Sequence, residues 1–141
     1  MTLRSIRSIA CGLALVAAAG GATVALAEQS APPGGAYKKV STLVALPDFI
    51  PGLGTLYVDP KTLPAGPFLA YDKQGQLVGS VYMIPVKDIE AHKAFNNLAA
   101  AKEKVDHVDM YFNAGHPGVA EPHYHIVIWY VSADKAMALQ K

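Results

Sequence analysis

The sequence predicts an α+β domain: a single domain, mainly antiparallel β-sheet, with one central helix and a short C-terminal helix. Three observations carry that expectation. Short apolar runs alternate with Gly- and Pro-rich punctuation from Tyr37 onward. One stretch, residues 87–104, is rich in alanine and holds no glycine or proline, as a helix requires. Two runs near the C-terminus, 105–112 and 123–131, carry strand patterning on either side of a short loop.

The N-terminal residues concern location rather than fold. Arg4 and Arg7 give a basic start, an apolar stretch runs from 9 to 24, and Ala25-Leu26-Ala27 supplies a small-x-small cleavage site. This pattern reads as a secretory signal peptide over residues 1–27, cleaved near Ala27, which places the protein in the periplasm or outside the cell. The stretch is too short and too rich in Gly and Ala for a stable membrane anchor. Cys11 precedes most of it, where a lipoprotein cysteine would end it. Removing 27 of 141 residues leaves a chain suited to one modest core. Residues 28–36, EQSAPPGGA, read as a flexible leader, and residues 37–141 as the domain.

Both arginines leave with the signal, so 10 lysines face 11 acidic residues and the mature net charge is −1. With no basic cluster, nothing marks a nucleic-acid or anionic-membrane surface. The mature chain has no cysteine. Disulfides, thiolate catalysis and thiolate metal sites are excluded together.

The elements follow in order. Residues 40–46 form a strand or an apolar face, and Pro47, Pro51, Gly52 and Gly54 break any helix beyond. Residues 55–58 suit a short strand stopped by Asp59-Pro60. Residues 67–71 and 76–84 read as a hairpin about Asp72-Lys73-Gln74-Gly75, where glycine supplies a positive φ. Residues 87–104 are the central helix, with Ile89, Phe95 and Leu98 on one side and His92 packed at its border. In 105–112, Val108, Met110 and Phe112 point one way and His107, Asp109 and Tyr111 the other. A loop, 113–122, leads to strand 123–131. Ser132 then suits the cap of a final helix carrying Ala133, Met137 and Leu139.

Three of the five histidines, His116, His123 and His125, fall within ten residues of one another. Side chains two apart on a strand share a face, roughly 6.5–7 Å apart at Cα. His123 and His125 can therefore converge on one ion, each at about 2.0–2.1 Å. The loop tightened by Pro117 and Gly118 can fold His116 over the pair. A hairpin would bring His107 and Asp109 near, and Glu121 is a further oxygen ligand. Three imidazoles suit zinc or copper first, then nickel or iron. The plainer alternative is that the histidines satisfy loop carbonyls. Tyr111, Tyr124, Trp129 and Tyr130 concentrate aromatic surface here; core packing explains most of it, and a small-ligand pocket is the alternative.

Catalytic signatures are missing. Val78-Gly79-Ser80-Val81-Tyr82 lacks the second glycine of a nucleophile elbow. Gly52-Leu53-Gly54 follows a proline and does not continue as a dinucleotide fingerprint. A catalytic residue is therefore unknown.

Pro122-His123-Tyr124-His125 resembles the histidine pair of cupins. However, Ile126 to Trp129 stand where that family needs a glutamate, and its second motif is missing. Gly115-His116-Pro117, Gly118-Val119 and Pro122-His123-Tyr124 resemble a bacterial exported TTHB-like domain of unknown function, over about the last quarter of the chain. Where that family carries Asp and a later His, this chain has His125 and Val127. The resemblance implies a single exported domain and no set activity.

Three functional expectations result. The first is an exported protein holding a transition-metal ion through His116, His123 and His125. The second is a non-catalytic homo-oligomeric assembly or interaction module with structural histidines. The third is a metal-dependent enzyme whose substrate the sequence does not name.

Overall fold

The computed structural model describes residues 29–141; the signal-peptide expectation for 1–27 lies outside them. Six strands form one antiparallel sheet in the order β1-β2-β3-β4-β6-β5. They are β1 (Lys38–Lys39), β2 (Thr55–Val58), β3 (Phe68–Tyr71), β4 (Leu77–Pro85), β5 (His107–Asn113) and β6 (His123–Trp129). The first four form a meander. The chain then crosses to the far edge, lays down β5, and returns as β6 between β5 and β4.

The β3–β4 turn follows its chemistry. Asp72 Oδ1 accepts from the N–H groups of Gln74 and Gln76, each at 2.9 Å, and Gly75 sits at φ +75°. That combination closes the hairpin and shifts its register between Ala70 and Tyr71. The proposed spacer lies beside this turn: Ala31 N–H donates to Gly75 O at 2.8 Å, and Ser30 bridges Gln76.

The sheet has two unlike faces. On the inner face, Leu56, Val58, Phe68, Ala70, Val81, Val127 and Trp129 pack under a roof built from residues 40–54 and α2 (Ala133–Ala138). Of the two alternatives for residues 40–46 the apolar face is present: the 3-10 turn Val40–Thr42 buries Val40, and Val44 and Leu46 pack against the core. The outer face buries Tyr57, Leu69 and Tyr71 against Ala31, Tyr37 and Ala101.

The central helix of the α+β expectation is not there, and the fold is mostly β. Of the stretch 87–104, only the part within α1 (Val86–Glu90), a helix of five residues, is helical. His92 ends it at φ +54°, and Asn97 follows at φ +56°. Both sit in the left-handed region, where Asn and His are enriched among non-glycine residues. The physical reason is burial. Helical propensity is marginal without an apolar face to bury, and Ile89 and Leu98, the intended stripe, are exposed. The segment instead runs across the outer face, where Tyr82 Oη donates to the Ala99 carbonyl and Ala101 joins the packing. His92 is exposed rather than packed. The short C-terminal helix is present, but Ser132 makes no side-chain cap bond. Ala136 and Leu139 are buried there while Met137 is 62% exposed.

Candidate metal centre

The site begins with strand alternation. His123 and His125 point to the inner face of β6, and they are 0% and 5% exposed. Their Nε2 atoms lie 3.0 Å apart. Two nitrogens bound tetrahedrally to one zinc would be about 3.3 Å apart, given bonds of 2.0–2.1 Å. The pair is therefore close to a shared-ion spacing.

His116 arrives through a turn. His116 N–H donates to Val119 O at 2.9 Å and Val119 N–H returns to His116 O at 3.0 Å. Pro117 and Gly118 occupy the corners, and Gly118 has φ +89°. Proline followed by a positive-φ glycine is the chemistry of a type II turn. The turn aims the His116 ring at the strand pair, with centroids 5.0 Å from His123 and 5.7 Å from His125. One ligand atom from each of the three rings lies within 4.8 Å of the others. Among the described residues this is the group of histidine and acidic side chains able to hold an ion.

The opposite ring nitrogens are tied down. His123 Nδ1 donates to the Glu121 carbonyl at 2.6 Å, and His116 Nδ1 to the Pro117 carbonyl at 2.9 Å. Each bond leaves Nε2 as the lone-pair nitrogen, the arrangement by which metal-binding histidines are oriented; on His123 that nitrogen accepts from His125 Nε2–H at 3.0 Å. His125 Nδ1 meets Tyr111 Oη at 3.1 Å. Burial, then the neighbouring His123 and His116 rings, pushes the His125 imidazole down to about 4. A neutral imidazole is the form that binds metal. Burial, and then Asp109, raises the Tyr111 phenol, which stays protonated.

The remaining candidates sit apart. The Glu121 carboxylate reaches out to Lys87 Nζ at 2.6 Å, and it is the Glu121 backbone that serves the site. Asp109 Oδ2 accepts from Trp129 Nε1 at 2.8 Å. His107 stacks on Trp129 and bonds Asp106 at 2.8 Å. Both face inward on β5, in line with the hairpin expectation, but serve the tryptophan. Sequence reasoning did not single out Tyr111 as a support for His125. Its signal was the inward side of the β5 alternation, which the register sets directly opposite His125. The two supporting carbonyls have no sequence signal, since every residue carries one.

Tyr111 and Trp129 also line a partly open cavity beside His116 and His125, whereas Tyr124 and Tyr130 do not. No helix among the described residues is long and apolar enough to cross a membrane.

No protein-family model and no curated protein matches the chain. Among solved structures, it is similar to the crystal structure of hypothetical protein TTHB210 from Thermus thermophilus, at 50% identity and a TM-score of 0.61. The match covers 68% of this chain and 89% of the other.

Proposed function

Starting from the premise that this chain belongs to the family of hypothetical protein TTHB210, we propose that it binds a transition-metal ion through His116, His123 and His125. The observation that carries this is convergence with orientation. Three imidazoles place a nitrogen each within 4.8 Å of the others, while the second nitrogens of His116 and His123 are held by carbonyls. Three nitrogen ligands with a position left over suit zinc or copper first, with nickel or iron behind. The N-terminal pattern supports export, so the ion would be met in the periplasm or outside the cell.

Elemental analysis of untagged protein tests the reading. About one equivalent of zinc or copper is expected, and a His123→Ala/His125→Ala double variant should lose it. Equal metal content in both proteins would end the proposal.

A second reading has its own observation. Val108, Met110 and Phe112 lie exposed on the outer face of β5, an edge strand. Exposed apolar edges invite pairing with another chain, so this face suits self-assembly. Light scattering with and without chelator separates the two: an oligomer indifferent to chelator favours assembly independent of the ion.

A further inference from the structure

The inner face and its roof do not meet everywhere. Between them lies a cavity of about 720 Å³, within the range of small-molecule sites. Its walls differ in chemistry. The roof and central strands contribute Leu43, Val44, Leu46, Ile50, Leu56 and Met83. β5, β6 and the Pro117-Gly118 turn contribute Asp109, Tyr111, Asn113, His116 and His125.

The division of walls restricts the occupant. Left without one, the hydrocarbon lining forfeits dispersion contacts and stays wetted. A wholly apolar molecule would leave Tyr111 Oη and the imidazoles facing hydrocarbon, and a wholly polar one would waste the leucine wall. We infer that the chamber binds one small amphiphile, a medium-chain monocarboxylate. Its hydrocarbon body lies among the roof residues and its head lies at the Tyr111–His116–His125 wall.

The head's placement rests on the metal reading: the carboxylate takes the coordination position that three histidines leave. Asp109 is the one anionic group on the wall. Its Oδ2 is engaged by Trp129 Nε1 at 2.8 Å and lies 3.9 Å from His107 Nε2, and a divalent ion outweighs its charge. In the metal-free chain, the hydrocarbon wall still holds the body of the amphiphile, so binding is weaker and not lost.

Trp129 is the chain's single tryptophan and lines the chamber, so its emission reports occupancy. The untagged protein, zinc-loaded or chelator-stripped, is titrated with decanoate below its micelle concentration. Saturable change is expected in both forms, at least about tenfold tighter with zinc. Leu43 and Leu63 are cavity-lining residues that are also part-exposed, 43% and 46%. Leu43→Glu and Leu63→Glu therefore place a carboxylate at the chamber without emptying the core, and each should abolish the response, with folding checked by circular dichroism.

Lack of saturable change in either form overturns the inference, as does binding undiminished in both Glu variants. Equal affinity in a chain that does take up zinc overturns the placement of the head. Should the chain take up no zinc, the metal reading alone fails. Binding to the metal-free chain that Leu43→Glu abolishes would then still support the chamber, and its absence would overturn it.

Discussion

Strands β4 and β5 flank β6 on either side and use their side chains in opposite ways. Eight of the nine β4 residues are buried, on both faces. β5 turns His107, Asp109, Tyr111 and Asn113 toward the cavity and leaves Val108, Met110 and Phe112 exposed outside. One register row shows the contrast: Ile84, Tyr124 and Phe112 lie side by side across β4, β6 and β5. Ile84 is 6% exposed and Phe112 is 55% exposed. A strand whose apolar side chains stay largely exposed, and none of whose residues is fully buried, adds little burial to the fold. β4 holds the fold, and β5 serves the site and its surroundings.

Substitutions along these strands sharpen the contrast, the largest effect first. Ile84→Ala should cost about 2–5 kcal/mol, the range for emptying a buried aliphatic site, read from urea unfolding midpoints. A loss near that of an exposed position would deny β4 its structural role.

Acid should act next, through the site itself. In metal-free protein, the folded His125 titrates near 4 against an ordinary 6.5. Between those values the unfolded chain binds more protons, so stability rises with pH. The contribution is complete above about 6.5, declines as pH falls, and is gone below about 4. Its upper limit is about 3 kcal/mol. Unfolding in chelator across this window should show the decline, and His125→Gln should flatten it.

A smaller loss is expected from Asp109→Ala. This leaves the buried Trp129 indole N–H without its acceptor, at a cost of about 1–3 kcal/mol. Asp109→Asn keeps an acceptor and should recover most of it. An unfolding series comparing the two isolates the hydrogen bond from the charge.

Phe112→Ala should have the smallest effect on the monomer. Its edge contact with Tyr124, centroids 5.8 Å apart, sets a limit of about 1 kcal/mol. A much larger, concentration-dependent loss would show instead that the outer face of β5 is covered by a second chain.

The same two strands show where sequence reading succeeds. Local chemistry announced the Asp72–Gly75 turn, the Thr55–Val58 strand and the pairing of His123 with His125, because each depends on residues close in the chain. Alternation also separated the two sides of β5. The expected hairpin further put His107 and Asp109 on the side of the histidines, but what covers that side depends on the roof, folded from residues 40–54 and 133–138. The central helix was misread for a related reason. Alanine content and spacing along 87–104 describe what a helix would be like, but not whether any surface waits to receive it. The Asn96-Asn97 pair was the local sign against it. For the site, the three converging histidines were legible and the carbonyls that hold their rings were not.

Gly118 ties two parts of the molecule mechanically. A methyl group there would stand 2.8 Å from Val44 Cγ1, so the corner of the turn bearing His116 rests directly on the chamber ceiling. The third histidine has no independent mount: whatever lifts that ceiling withdraws its buttress. A displaced Val44 would therefore also disturb the turn that aims the His116 ring.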